Sequence, residues 1–313
     1  MNGTSRDVQI FEPFGQAFQL MKVILFQPFD LAKWCGIGFA AFLARLGSGG
    51  FNFNWRCDQN SGLRASSEFH DFMAKIREMP HWSVVAGVAF LIFMVLVIIV
   101  LFRWLRARGE FIFTDCIVRN RGAIVEPWRE FRRLGNSYFL FSLLVVFGLG
   151  CLAGLLALPF LLPIVRGATF LHRHNASLIS MIGLWSMVVI SFFVIWVVIA
   201  HFMVTVMYCR RCRASEAFRI VCSLIAAYPG EITIYCLFWI VLGLAAVVFA
   251  CAATCATCCI VIIPYIGTVI LLPMLVWLRA FTLLYLRQFG PDFDAWREIP
   301  PTIPPPLTPP LPA

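Results

Sequence analysis

Two cysteines that enclose two arginines, Cys209 and Cys212, form the motif of this sequence that comes nearest to known chemistry. Guanidinium groups beside a thiol favour the thiolate, so they should lower the pKa of either cysteine and raise its reactivity. A thioredoxin-like redox motif also requires a βαβ unit around it, and a zinc site requires two further ligands. The surrounding sequence predicts neither, so a redox pair at Cys209 and Cys212 is kept as an alternative hypothesis.

A second group of cysteines lies within an apolar segment that is rich in alanine and threonine. Its members are Cys251, Cys255, Cys258 and Cys259. No histidine or carboxylate accompanies them in the sequence, and small residues are typical of closely packed membrane helices. We therefore expect helix packing here, with no metal and no other cofactor. Since no other set of side chains indicates a catalytic centre, the sequence favours a non-enzymatic protein.

The elements that carry these residues are long apolar runs. Residues 84–102 are nineteen consecutive positions without a charge or a proline, and a bilayer core about 30 Å thick requires roughly 20 apolar helical residues. The chain is 61% hydrophobic and 13% charged, whereas soluble domains are about 45–50% apolar and about 25% charged. This composition excludes an ordinary water-soluble domain and predicts an integral membrane protein.

The pattern of apolar runs predicts an all-α, polytopic transmembrane bundle of about six spans. The spans lie near residues 31–46, 82–102, 138–158, 181–207, 232–254 and 260–282. An external loop, residues 47–81, separates the first two. We expect residues 1–298 to form a single membrane domain. Residues 299–313 contain eight prolines and no charge, which is typical of a disordered polyproline II tail.

The chain carries a formal net charge of +9, and its basic residues cluster beside the predicted spans. With the N-terminus inside, 18 of the 25 lysines and arginines fall on the cytoplasmic side. This bias predicts a cell-membrane protein with both termini in the cytoplasm, facing anionic lipid headgroups. The candidate headgroup contacts are Arg103, Arg106, Arg108, Arg132, Arg133, Arg210, Arg211 and Arg213. No nucleic-acid recognition module is visible, so we expect no nucleic-acid partner.

The cytoplasmic segments before the odd-numbered spans share an amphipathic helical pattern. The apolar faces are Phe14, Phe18, Met21 and Leu25, then Trp128, Phe131, Leu134 and Tyr138, then Ala217, Val221, Leu224 and Tyr228. Helices of this kind lie in the membrane interface. One interpretation is a repeat of three units of roughly 100 residues, each an interfacial helix and two spans. The other is that any helix entering a membrane carries this pattern.

Small residues at a spacing of four predict close helix contacts, between Gly150 and Gly154 and between Gly36 and Ala40. Packing within the chain is favoured, and dimerisation is the alternative. The predicted spans contain almost no ionisable side chains, which argues against an ion-coupled pump. Arg279 lies near the cytoplasmic end of its span, and we expect it to snorkel or to pair with a cytoplasmic carboxylate.

Short motifs at the span boundaries carry a family resemblance. They are Pro28–Trp34, Gly49–Asn54, Arg108–Asp115, Arg279–Phe281 and Gln288–Pro291. Their order resembles an uncharacterised family of prokaryotic multi-pass integral membrane proteins, a domain of unknown function. That family is loosely similar to the membrane domain attached to some glycerophosphodiester phosphodiesterases. The resemblance implies a membrane architecture and carries no mechanism.

These observations favour a non-enzymatic membrane protein that organises lipid or a partner membrane protein. A transporter or channel for a lipid-like or small solute is the alternative. It is favoured by the repeat and by spans broken by proline, such as the segment that contains Pro264 and Pro273.

Overall fold

The structure of the protein is a computed structural model, which describes residues 9–46, 80–165, 183, 185–188, 190, 192, 199–256 and 264–297. Within these residues every regular element is helical. The helices are α1 (Phe11–Phe26), α2 (Leu31–Arg45), α3 (His81–Val118), α4 (Val125–Glu130), α5 (Arg132–Val165), α6 (Val204–Arg210), α7 (Ala214–Ala227), α8 (Pro229–Ala256), α9 (Pro264–Ile270) and α10 (Leu272–Arg287). A π-helical turn, Ile199–Met203, precedes α6, and a 3₁₀ turn, Pro291–Phe293, follows α10.

The described residues divide into a packed region and three projecting apolar segments. We call the packed region the base; it comprises residues 9–46, 103–138, 199–239 and 272–297, and it contains nearly all of the buried side chains. We call the projecting segments the arms; they are residues 82–102 of α3, 139–152 of α5 and 240–256 of α8. Where their side chains are described, the arms contain no buried residue.

Helix α3 shows the division most clearly, because it is 38 residues long and therefore about 57 Å at 1.5 Å per residue. Its first half belongs to an arm, where Phe90 is 65% exposed, and its second half belongs to the base, where Phe111 is 0% exposed. A single helix therefore passes from a fully apolar, unpacked segment into a packed core. The sequence predicted the apolar half as a span and gave no sign of the helical continuation to Val118.

Helix α2 packs along the half of α3 that lies in the base. A Cβ atom on Gly109 of α3 would lie 2.5 Å from the backbone nitrogen of Ala44, so the two helices touch through their backbones. At the other end of α2, the Lys33 ammonium donates to the Asn120 side-chain oxygen at 2.6 Å. The segment predicted as the first span therefore lies beside residues 107–122 and not beside the apolar arm of α3.

Two amphipathic helices close the base, and each packs against it the apolar stripe that the sequence identified, while their predicted place in the membrane interface stays a prediction. Helix α1 buries Met21 and Leu25, and the half-buried ring of Phe14 contacts Trp277 of α10 at a centroid distance of 4.5 Å. Helix α7 buries Ala217, Val221 and Leu224. Burial of one apolar stripe is the main reason that short helices of this kind are stable.

Three helices are long and apolar enough to cross a membrane: Trp82–Val118, Arg132–Leu152 and Pro229–Ala256. They coincide with the second, third and fifth predicted spans. The all-α prediction is confirmed for the described residues, and the structure supports three candidate spans where the sequence predicted six.

The other three predicted spans differ for identifiable reasons. Helix α2 has only 15 residues, about 22 Å. The fourth predicted span is described only in parts, at residues 183, 185–188, 190, 192 and 199–207, whereas the external loop and the proline-rich tail lie almost entirely outside the described residues. The sixth is divided at Leu271, because Pro273 has no N–H to donate to the Val269 carbonyl. That carbonyl instead accepts from the Trp34 indole nitrogen at 3.4 Å.

Candidate functional site

A buried carboxylate, Asp115, connects the helices at the centre of the base. Its side chain is 0% exposed. One carboxylate oxygen accepts from the Tyr208 hydroxyl at 3.0 Å and forms an ion pair with Arg119 Nε at 3.1 Å. The other accepts from Arg121 Nη2 at 3.1 Å. One carboxylate thus compensates two guanidinium groups and anchors α6 against the end of α3. Burial, followed by the nearby Asp115 charge, raises the pKa of Tyr208 well above its usual range, so its hydroxyl stays protonated and donates.

A second carboxylate, Glu130, extends this network to the surface. One of its oxygens accepts from Arg119 at 3.1 Å and from Arg211 at 2.7 Å. The Arg211 guanidinium also lies 4.4 Å from the ring centroid of Phe131, which stacks on Tyr208 at 5.2 Å. The ion pairs and the ring contacts therefore join α3, α4 and α6, in a region where sequence analysis identified no specific cluster.

Arg279 of α10 forms a separate buried group with the same face of α3. It is 6% exposed. Its Nε and Nη2 donate to the Thr114 hydroxyl at 3.1 and 2.8 Å, and its Nη1 lies 3.5 Å from a carboxylate oxygen of Glu110. The expected pairing of Arg279 with a carboxylate is confirmed, and the partner is Glu110.

Arg108 lies in a third environment, between two indole rings. Its guanidinium carbon is 4.3 Å from the ring centroid of Trp104 and 4.9 Å from that of Trp128. The side-chain oxygen of Asn136 accepts from Arg108 Nη2 at 3.0 Å and from Trp104 Nε1 at 3.2 Å. Although Arg108 is only 6% exposed, none of its nitrogens lies within 4.0 Å of a carboxylate oxygen of any described residue.

The arginines predicted to contact headgroups fall into distinct groups in the base. Arg210 pairs with Asp292 at 2.8 Å, Arg211 pairs with Glu130, and Arg106 lies 3.9 Å from Glu110. Arg103 is half-buried, and Arg108 is buried between the tryptophans. Arg132, Arg133 and Arg213 are exposed, and within the described part of the chain none of these three forms an ion pair. The exposed, unpaired members are the ones whose charge is available to an anion.

The cysteine pair lies at the edge of the base. Both thiols are half-buried, and Cys209 Sγ lies 3.6 Å from the Phe293 carbonyl oxygen. Burial, with a further contribution from Glu216, raises the pKa of the Cys212 thiol, and the opposing effect of Arg210 is smaller. Arg210 therefore acts on the pKa of Cys212 in the expected direction, but burial and Glu216 outweigh it. A raised pKa decreases the thiolate fraction at neutral pH and disfavours a reactive redox pair.

The small-residue motifs lie in different surroundings. At Gly150 and Gly154 of the α5 arm, no described atom lies within 4 Å of the position that a Cβ atom would take. At Gly36 of α2, a Cβ atom would lie 2.5 Å from the Gly122 carbonyl oxygen, and Ala40 is fully buried. The α2 motif is therefore at a tight contact, and the α5 motif faces outwards.

The four cysteines of the alanine- and threonine-rich segment lie at the end of α8 or just after it. Cys251 and Cys255 are exposed on the α8 arm, and Cys258 and Cys259 lie outside the described residues. Among the residues that the structure describes, no three histidine, cysteine, aspartate or glutamate side chains are grouped as metal ligands.

In the sequence, the segment Arg108–Asp115 stood out for its resemblance to a family and for Arg108 as a candidate headgroup contact. The structure gives four of its residues specific contacts: Arg108, Glu110, Thr114 and Asp115. Polar residues recurring at helical spacing directly after a span were the available signal. Their partners could not be found in this way, because Tyr208 and Arg279 are 93 and 165 positions away.

Comparison with known proteins identifies a family and nothing more specific. No curated protein and no solved structure matches the chain. Residues 8–287 match a family described as "Family of unknown function (DUF7544)". The match runs from just before α1 to the end of α10, so it includes the groups around Asp115, Arg279 and Arg108. Similarity to the membrane domains of phosphodiesterases stays a prediction. The chain belongs to this family of unknown function, DUF7544.

Proposed function

We propose that this protein is a multi-pass integral membrane protein of the cell membrane that organises anionic lipid, or a partner membrane protein, without catalysing a reaction. The observation that carries the proposal is the contrast between three exposed apolar arms and a packed base rich in arginine. The helices that carry these arms are long and apolar enough to cross the bilayer interior. An arginine-rich layer directly beside them matches the charge of lipid headgroups.

The exposure of the arms supports burial in lipid or against a partner. From residue 85 to residue 102 every side chain of α3 is exposed. Soluble monomers rarely expose a contiguous apolar patch larger than a few hundred Å². Each large apolar side chain left in water forfeits about 1.5–3 kcal/mol of transfer free energy. A surface of this extent is therefore stable only when lipid tails or other apolar helices cover it.

The chain segments that connect the three arms favour an even number of membrane crossings. Each arm has one end in the base and one end away from it, so the chain must also travel between these levels elsewhere. The described ends of these connections are Gln9 and His81, Val165 and Tyr208, and Ala256 and Gln288; in each pair one residue lies at the base and the other at the outer end of an arm helix. If the three arms cross a bilayer, these three connections add three crossings. The six crossings that the sequence predicts are therefore part of this proposal.

Contacts between the two ends of the described chain support termini on one side. The Gln9 backbone nitrogen donates to the Gln288 side-chain oxygen at 3.0 Å, and the Gln288 amide donates to the Gln9 carbonyl at 2.9 Å. Because basic residues accumulate on the cytoplasmic side of membrane proteins, we assign the base to the cytoplasm.

Reporter fusions test this orientation. A cytoplasm-dependent reporter should be active at either terminus, and in intact cells a membrane-impermeant maleimide should label Cys57 in the predicted external loop. A variant in which Cys57 is replaced by serine is the control, since it should lose that labelling. A reporter that is active only outside the cytoplasm when fused to the C-terminus would contradict the orientation.

Native mass spectrometry tests the organising role. The protein is extracted with its surrounding membrane into nanodiscs, and the accompanying molecules are identified. We expect a stoichiometric anionic lipid or a partner membrane protein. A chain accompanied only by bulk lipid in the proportions of the membrane would contradict the proposal.

A transporter or channel is the second candidate, and one local feature favours it. The π-helical turn Ile199–Met203 places His201 against the indole of Trp239, with ring centroids 4.2 Å apart, where the α8 arm begins. Turns of this type are frequent at functional sites. Solute flux in proteoliposomes that is lost when His201 is replaced by phenylalanine would favour transport over the organising role.

A further inference from the structure

The guanidinium of Arg108 is a buried cation for which the described residues supply no anion. Its Nε is buried and has no hydrogen-bond partner, and its one side-chain hydrogen bond goes to the neutral amide of Asn136. The neighbouring charge that acts on it is Arg132, another cation. A buried charge is normally retained only when an opposite charge or a full set of hydrogen bonds compensates it.

The other buried arginine of the base shows what Arg108 lacks. Arg279 has the same exposure, 6%, but it has Glu110 as a counter-ion and two hydrogen bonds to Thr114. The two indole rings beside Arg108 contribute cation–π attraction, about 0.5–2 kcal/mol for each good contact. That attraction holds the guanidinium in place but neither satisfies Nε nor balances the charge.

The position of Arg108 along α3 is at the depth of lipid phosphates. The apolar arm ends at Phe102, and the backbone of Arg108 lies six residues further, a rise of about 9 Å. Its guanidinium carbon, however, lies 4.3 Å from the ring of Trp104, a residue only about 3 Å beyond the end of the arm. The headgroup layer on each side of a bilayer is about 5–8 Å thick. The side-chain bond between Trp104 and Asn136 brings the start of α5 to the same level. Tryptophan is enriched at this depth in membrane proteins.

We propose that Arg108 and Arg132 bind the phosphate of an anionic headgroup in a site between α3, α4 and the start of α5. Trp104 and Trp128 form its walls, and the Asn136 amide nitrogen, whose oxygen is already used, is a third donor. This proposal rests on the proposed membrane function and specifies the chemical group that the protein binds, a phosphate anion. Arginine suits this role because its fork of donors matches phosphate oxygens.

Titration with phosphatidylglycerol, followed by native mass spectrometry of the full-length chain in detergent, tests the site. We expect the wild-type protein to retain one phosphatidylglycerol molecule. We expect Arg108→Gln and Arg132→Gln each to weaken binding about tenfold, the change that loss of about 1.4 kcal/mol produces. Arg213→Gln is the matched control, because it removes another exposed, unpaired arginine of the base, and its affinity should stay within about twofold of the wild type.

A competition measurement separates the two sources of phosphate, a lipid headgroup and free phosphate. Inorganic phosphate is added as a competitor. If it displaces phosphatidylglycerol and binds alone, the site takes free phosphate; if it has no effect, the lipid headgroup is the ligand. Either result supports the site when both variants bind more weakly. Because Arg132 is exposed, Arg132→Gln should unfold at the wild-type temperature, which distinguishes a lost ligand from a lost fold.

Two results would overturn the site. One is wild-type affinity in both Arg108→Gln and Arg132→Gln, which leaves the proposed function intact because the lipid is still bound. The other is failure of the wild-type chain to bind either probe. The proposed function itself fails only when nanodiscs of native membrane yield neither a stoichiometric lipid nor a partner.

Discussion

Replacing Asp115 with asparagine is expected to lower the free energy of unfolding by about 3 kcal/mol, the lower end of the range for breaking a buried ion pair. The substitution keeps the shape of the side chain and removes the charge that compensates Arg119 and Arg121. It also weakens the acceptor of the Tyr208 hydroxyl. The lower end applies because both arginines are about 30% exposed and retain other carboxylate partners. Thermal unfolding of the purified protein in detergent measures the change.

Glu126→Gln is the matched control for this prediction. Glu126 forms an ion pair with the same Arg121 at 2.6 Å, but its side chain is 65% exposed. Exposed pairs contribute about 0–1 kcal/mol, since water already solvates both charges. If Glu126→Gln and Asp115→Asn destabilise the protein equally, burial of Asp115 does not matter and the central role of this network is wrong. Tyr208→Phe adds a second check, because its effect and that of Asp115→Asn should not be additive.

The sequence predicted the parts of this fold that depend on local patterns. Residues 84–102 were identified because nineteen apolar positions in a row match the thickness of a bilayer core. The buried face of α7, with Ala217 and Val221, was identified because helical periodicity is read within a few turns. Both predictions use information that lies within about 20 neighbouring residues.

The base was not predictable in the same way, because its specific contacts join distant positions. Arg103 to Glu110 interrupt the apolar pattern, so the pattern ends although the helix continues to Val118. Such charges are tolerated here because Glu110 pairs with Arg279 of α10 and Asp115 also accepts from Tyr208 of α6, and nothing near either acid in the sequence reveals these distant partners. The polar network follows from the tertiary packing of helices, which a single sequence does not encode as a readable motif.

The spacing of small residues was also an incomplete guide to where helices touch. A GxxxG spacing drew attention to Gly150 and Gly154, whose surroundings in the described structure are open. An approach as close as that at Gly36, 2.5 Å, involves Gly109, which has no small residue at that spacing on its own helix. What makes a glycine necessary is the backbone on the facing helix, and that partner is 65 or 66 positions away, at Leu43 and Ala44.

Replacing Gly109 with alanine should therefore destabilise the protein by about 2–3 kcal/mol, the cost of overpacking a tight interface. The new Cβ atom would lie 2.5 Å from the Ala44 nitrogen and 2.5 Å from the Leu43 carbonyl carbon. These are backbone atoms of α2, so no side-chain rotation relieves the overlap, and α2 must move away from α3. The shift would also separate Lys33 from Asn120. Thermal unfolding in detergent measures the effect.

Gly87→Ala, on the arm of the same helix, should change stability in the opposite direction. No described atom lies within 4 Å of its Cβ position, so the substitution meets no obstacle there. Alanine favours a helix over glycine by about 0.5–1 kcal/mol. The two variants make the same chemical change within α3, and they differ only in what faces them. If Gly109→Ala is as stable as Gly87→Ala, then α2 does not lie against the second half of α3, and the arrangement of the base described above is wrong.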